Sequence, residues 1–428
     1  MKSDYGEKTK LPLWKRNLYA AWVTQFISML GFSFGVPVLP YYIQQLGVTS
    51  PEMVKLYTGL MTAVPAVTLG LMAPIWGMAA DRFGKKLMLT RAMAFAFLVL
   101  LGLGLATNVN QILVIRFFQG LLTGTITATY ALIAAGTPDD RMSYALGVIA
   151  SSIFIGNSAG LAIGGFAADI FGYRMSFLIG SGIMLAGLAW VLLAVREVKG
   201  TGSKEPLRIF MKVKEKQSKE GQGKGNIPGT KKLLPLVATV LPLIFIIRVG
   251  RTMIDPYIPI YIQEIRNALE GSATVSGAIR GISSIATALA GIFITRLGDR
   301  YDKIKLSAIL MGAGAVIAVP MFLTGNLIVF TIFYTLVFFA IGGVEPLLNS
   351  YASLVVPSEK RGALFGLIAM IGSFGWGVSP AIGSYVSIAF STKAIYVAFS
   401  IFLAIGAIAC AIVVFKKKAA SQKRVIQR

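Results

Sequence analysis

Apolar stretches, each long enough to cross a bilayer at about 20 residues per crossing, alternate with short polar breaks along nearly the whole chain. The pattern predicts twelve helical spans, at about 17–44, 53–80, 85–106, 110–136, 142–170, 174–195, 233–262, 273–297, 304–324, 327–353, 361–388 and 393–415. The stretch between the sixth and the seventh differs in kind. Residues 196–232 are rich in Gly, Lys, Ser and Gln, the composition of a flexible basic linker. The chain is therefore expected to divide into a tail (1–16), a six-span bundle (17–195), the linker (196–232), a second six-span bundle (233–415) and a C-terminal tail (416–428).

The two halves repeat each other at a shift of about 218–219 residues. LPYYIQQLG at 39–47 matches IPIYIQEIR at 258–266, and Asp81-Arg82 matches Asp299-Arg300. PDDRMSYALG from Pro138 matches PSEKRGALFG from Pro357 with one adjustment, and Gly164 matches Gly383. The expected fold is an all-α membrane protein of two pseudo-symmetric six-helix bundles facing each other across a midplane cavity, the architecture of many secondary transporters.

Composition agrees. The 428 residues are 55% hydrophobic and only 14% charged, with a mean hydropathy of +0.72. A net charge of +23 would suit nucleic acid, but its placement argues otherwise. The basic residues gather in the tails, the linker and every second loop, including Arg141, Lys303, Lys305, Lys360 and Arg361. Cytoplasmic loops carry such an excess, which also attracts anionic lipid. Both termini are expected in the cytoplasm, and the charged N-terminus carries no cleavage site of a removable signal peptide. The chain has no histidine and one cysteine, Cys410. No intrachain disulfide can form, proton chemistry falls to carboxylates, and neither a metal nor a cofactor is expected.

The loop after the second span reads Gly77-Met-Ala-Ala-Asp81-Arg82-Phe-Gly84-Lys85-Lys86. Gly77 would let helices approach, and Asp81 would meet a helix N-terminus or a basic side chain. Gly84 permits a tight turn, and Lys85 and Lys86 hold the loop at the cytoplasmic face. With Asp299-Arg300 in the matching place, the two loops read as a paired conformational gate. In the fifth span Gly156, Gly160, Gly164 and Gly165 recur at about every fourth position, a spacing for tight helix packing.

GMAADRFGKK resembles the loop 2–3 signature of the major facilitator superfamily. LGFSFGVPVLP (30–40), RFFQG (116–120) and GNSAGLAIGG (156–165) resemble the span 1, span 4 and span 5 signatures of its twelve-span drug:proton antiporters. One position departs: Leu161 stands where the family has proline, whereas Pro380 occupies the equivalent place in the second half. The resemblance implies a proton-coupled multidrug exporter working by alternating access. It implies a role for Arg116 in proton transfer or in stabilising a cavity carboxylate, for which snorkelling to the interface is the alternative. It also makes the glycine face of span 5, with Pro380, a sliding contact between the halves.

Charges inside spans are costly unless paired or facing water. Arg248, Arg251 and Asp255 stand at i, i+3 and i+7 of span 7 and should share one face, lining the cavity or forming an internal Arg251–Asp255 pair. Arg280 lies in span 8 and Glu345 in span 10. Glu345 has no basic residue one turn away and is the expected proton carrier, a pair with Arg248 being the alternative; Asp255, beside arginines, suits substrate recognition. Arg116, Arg248, Arg251 and Arg280 outnumber the two acids, which favours an amphiphilic, anionic substrate. The partners expected are that substrate, protons and lipid, with no nucleic acid, and the chain should act as a monomer. A proton symporter importing an organic anion or sugar, and a lipid or lysolipid flippase, are the alternatives on the same fold.

Overall fold

The structure, a computed structural model, describes the backbone of residues 12–138, 141–198, 230–355 and 361–426. Most of the expected linker lies outside the described residues, as do the side chains of Asp81 and Asp299.

Every regular element described is helical. The first six spans are α1 (Leu13–Phe34) continued by α2 (Leu39–Gln45), α3 (Pro51–Phe83), α4 (Lys85–Leu105), α5 (Val109–Leu122) continued by α6 (Thr125–Gly136), α7 (Met142–Phe171) and α8 (Tyr173–Ala194). The next six are α9 (Thr230–Ile254) with α10 (Ile258–Arg266), α11 (Ser272–Arg300), α12 (Lys303–Leu323), α13 (Leu327–Gly342) with α14 (Val344–Val355), α15 (Arg361–Ala389) and α16 (Ala394–Ile426). Among the described residues nine helical stretches are long and apolar enough to cross a membrane, and the bent pair α1–α2 makes a tenth. The remaining two of the twelve expected spans are α9 and α15.

Local chemistry sets the breaks. Gly84, at φ +106°, turns α3 into α4 through a single residue, a conformation only glycine adopts cheaply. Asn108 caps α5 by accepting from the Gln111 N–H, and Asn326, 218 residues later, caps α13 by accepting from Ile328 and Val329. These side chains satisfy orphan donors of the first turn. The repeat persists in packing. Tyr42 donates to the carbonyls of Leu103 and Ala106, and Tyr261 to those of Met321 and Thr324. Each bundle has its own core, one around Tyr42, Phe177 and Met184, the other around Tyr261, Phe330, Tyr396 and Phe399.

The bundles meet along two seams, α7 on α11 and α3 on α15. Approach is tightest at the end holding loops 46–50 and 267–271, termed the far end; the opposite end is the linker end. A Cβ at Gly165 would sit 2.2 Å from the Ala273 carbonyl oxygen, and one at Gly277 2.2 Å from that of Leu161. Nearer the linker end, Gly147 of α7, Gly291 of α11 and Gly77 of α3 have open space within 4 Å. Tyr41 crosses at the far end to donate to the Pro259 carbonyl at 2.7 Å. The halves thus close on each other at the far end and diverge toward the linker end.

The reading of the span 5 glycines as a sliding contact between the halves is corrected. Gly156, Gly160 and Gly164 pack on the backbone of α1 at Phe26, Leu30 and Phe34, inside the first bundle. Only Gly165 of that set lies at the seam, because one helical face cannot serve two neighbours on opposite sides. With the linker end apart, Gly77 has open space around it.

Candidate functional site

A cavity of about 470 Å³ lies between the bundles, on the linker side of the far-end contacts. Its apolar wall includes Met29, Phe32, Met61, Phe338 and Trp376. Its polar groups converge from both halves: Arg116, Gln119 and Asn157 from the first, Arg251, Asp255, Arg280 and Tyr334 from the second.

Arg116 sits two turns into α5 and points inward. Its Nη1 donates to the Gln119 Oε1 at 2.8 Å, while its Nε is buried without a hydrogen-bond partner. Snorkelling to the interface is ruled out by that placement. Gln119 and Asn157, which accepts from Ser33 at 2.8 Å, escaped the sequence reading; a lone amide in an apolar run was the available signal.

In the second bundle the helix of span 7 breaks at Asp255, where Asp255–Tyr257 form one 3-10 turn ahead of α10. Pro256 supplies no N–H to continue the α-helical ladder. The internal Arg251–Asp255 ion pair is not formed. Asp255 instead lies 3.9 Å from Arg280 Nη2 and takes a long hydrogen bond of 3.5 Å from the Tyr334 hydroxyl. The Asp255 side chain remains 35% exposed, whereas that of Arg280 is 9% exposed. Arg280 Nη1 is buried without a partner. Arg251 lies over the Phe338 ring, 5.6 Å from its centroid, a geometry in which the ring face attracts the cation.

Glu345 and Arg248 stand apart from this group. Glu345 accepts from Arg248 Nε at 3.0 Å and also from Nη2, and neither residue lines the cavity. Of the two readings of Glu345, the pair with Arg248 is the one formed: its partner comes from α9, 97 positions away in the chain. The expected single face of Arg248, Arg251 and Asp255 is corrected. Arg248 is turned toward α15, its guanidinium filling the space a Cβ would take at Gly372. The two acids thus have different environments: Asp255 faces the cavity, Glu345 locks α14 to α9.

At the linker end Arg82 lies against the Phe83 ring at 5.3 Å and Arg300 is exposed. Glu197, just beyond α8, accepts from the backbone N–H groups of Lys85 and Lys86, capping α4 at its positive end. Pro380, inside α15, offers its carbonyl to the Tyr257 hydroxyl at 2.9 Å.

Two six-helix bundles around a cavity of mixed charge define a secondary-transporter class of protein. The Major Facilitator Superfamily profile matches residues 21–237 and 240–428, and the chain belongs to that family. It is 32% identical over 405 residues to a "multi-drug resistance efflux pump PmrA homolog" of Lactococcus lactis subsp. lactis (strain IL1403), covering 94% of this chain and 95% of that one. It is 28% identical to the multidrug resistance protein MdtG of Serratia proteamaculans (strain 568) over 90% of this chain and 91% of that one. Its fold resembles an inward-facing bacterial homolog of the human lysosomal transporter Spinster, with a TM-score of 0.74, 15% identity and coverage of 95% and 97%.

Proposed function

We propose that this chain is a proton-coupled exporter of small amphiphilic molecules working by alternating access in the cell membrane. Both tails (1–16 and 416–428), the linker (196–232) and the linker end would face the cytoplasm. The names of the relatives support export, and the basic residues between spans support the orientation. On that orientation the bundles, joined at the far end, present the cavity inward. The chain would work as a monomer, with lipid around the bundles of residues 17–195 and 233–415.

The observation that carries the reading is the cavity cluster itself. Arg116, Arg251 and Arg280 outnumber the one acid among its described lining residues, Asp255. That balance favours a substrate with an acidic group beside an apolar body. For export against a proton gradient, proton and substrate must exclude each other at one group. Asp255 reaches the cavity and is the better proton carrier; Glu345, held by Arg248, is assigned to structure. The Asp81 and Asp299 loops would act as gates at the cytoplasmic face.

The Asp255–Arg280 pair also favours a second reading. Protonation of Asp255 would release Arg280 to take an anion, so proton and anion would travel in the same direction, as in an importer. Proteoliposomes with matched anionic and cationic amphiphiles and an imposed pH gradient separate the two. Proton entry driving substrate out supports export, and proton entry driving accumulation of the anion overturns it. Asp255→Asn should abolish gradient-driven movement in either case, and Glu345→Gln should not.

A further inference from the structure

The far end is fastened by two contacts that the internal repeat places in corresponding positions. On the α7–α11 seam, Asp169 Oδ2 accepts from the backbone N–H of Thr274 at 2.7 Å. Thr274 is the third residue of α11, so its N–H has no partner within the helix. A carboxylate from the first bundle thus caps a helix of the second, where the positive end of the helix dipole attracts it. On the α3–α15 seam, Lys55 Nζ donates to the Ser387 carbonyl at 3.2 Å. Ser387 lies in the last turn of α15, the negative end. Asp169 and Ser387 are 218 residues apart, and Lys55 and Thr274 219 apart. Each seam therefore carries one charge set against one helix terminus, in opposite senses.

We propose that Asp169 is the proton-sensitive half of a two-part latch that holds the far end closed, with Lys55 as the half that does not titrate in the same range. Protonation of Asp169 removes the charge that favours the α11 terminus. It loosens one seam while the other keeps its grip. Lysine keeps its charge throughout the range in which a carboxylate titrates. The groups around Asp169 leave this contact unduplicated. From α2, Tyr41 donates to the carbonyls of Pro259 and Ser272, so its hydroxyl proton is committed elsewhere. From α8, Tyr173 packs on Tyr41 with ring centroids 6.0 Å apart and interacts electrostatically with Asp169. Arg266 at the end of α10 and Arg280 further along α11 join the same electrostatic cluster around Tyr41. Arg266 Nη1 reaches the Ser272 hydroxyl at 3.4 Å, and Glu270 precedes the Gly271 N-cap of α11 in the chain. If the far end faces outward, the acidic side of a proton gradient would favour its opening, and the neutral side its closure.

The test is conformational. Asn110→Cys and Ile328→Cys, one exposed site at the far end of each bundle, carry spin labels in a Cys410→Ala, Asp255→Asn chain. The label separation is measured by double electron–electron resonance in nanodiscs between about pH 8 and pH 4, the range that brackets carboxylate titration. The readout contains neither substrate nor gradient, so it fails or succeeds separately from the export reading. Acidification should raise the far-end-open population about 2- to 30-fold, the range spanned by charge–dipole contacts at helix termini. Asp169→Asn should give the acid-like population at every pH. Thr274→Pro, which deletes the donor N–H at a position that tolerates proline, should do the same without touching the acid. Asp169→Glu should restore a pH response. Lys55→Gln should open the far end while the pH response persists. A pH response that survives both Asp169→Asn and Thr274→Pro, or one that vanishes in Lys55→Gln, overturns the proposal.

Discussion

The side-chain amides of Gln44 and Gln263 exchange two hydrogen bonds, of 2.8 Å and 2.9 Å, across the interface between the bundles. The two residues are 219 positions apart and occupy the same place in the repeat. The pseudo-two-fold axis of the molecule therefore runs between them, and a self-complementary amide pair is what such an axis permits. Because both bonds belong to one contact, Gln44→Ala and Gln263→Ala should not add. A double-mutant cycle on the far-end-open population should give a coupling of about 1 kcal/mol, the net value of a hydrogen bond between neutral groups. Additive effects would place the pair outside the closing interface.

The seam glycines should respond by position. Gly277→Ala places a methyl against the Leu161 carbonyl at 2.2 Å, where backbone faces backbone and no rotamer gives relief. It should force the far end apart, read as raised accessibility of Tyr41 and Thr274 in hydrogen exchange, and lower transport severely. Gly77→Ala meets nothing within 4 Å. It should leave the far-end contacts intact and add up to about 1 kcal/mol of helix stability.

The twelve spans and the repeat were legible because apolar length acts locally, whereas the break at Asp255 inside span 7 was not drawn. Which charges pair was not legible either. Asp255 is four residues from Arg251, yet its carboxylate lies toward Arg280 and Tyr334, which other helices supply. For Glu345 the pair with Arg248 was legible as one of two readings, but not as the one formed, because the two residues sit on different helices at a distance along the chain that no periodicity encodes. Glycine spacing in span 5 marked a packing face without saying which neighbour it packs on. The far-end contacts of Asp169, Lys55 and Gln44 depend on one bundle's placement against the other.

The Arg248–Glu345 pair is assigned to structure, which separates it from Asp255. The pair is partly open, with side chains 32% and 24% exposed, so the cost of breaking it falls below that of a fully buried bridge. Glu345→Gln should destabilise by about 1–2 kcal/mol, read as a lower melting temperature in detergent. The exchanged double variant Arg248→Glu with Glu345→Arg should recover less than half of that loss, because Gly372 leaves space for a guanidinium from α9 only in the native arrangement. Gradient-driven transport per folded molecule should be unchanged in Glu345→Gln.

The cavity should distinguish substrates by charge through Arg280. This guanidinium is 9% exposed, 3.9 Å from Asp255, and has one buried nitrogen without a partner. A carboxylate or sulfonate on a substrate would pair with the cavity-facing side of this guanidinium through a charge-assisted bond worth about 1.5–3 kcal/mol. Arg280→Gln should therefore weaken binding of an anionic amphiphile by about 10- to 100-fold. A neutral analogue of the same apolar body should lose little, since Phe338, Trp376 and Met61 remain in place to hold it. Arg280→Lys should retain part of the preference, because the ammonium keeps the charge while losing the planar fork. Scintillation-proximity or tryptophan-quenching titrations with the matched pair give both affinities, and equal losses for the charged and neutral ligands would remove Arg280 from substrate recognition.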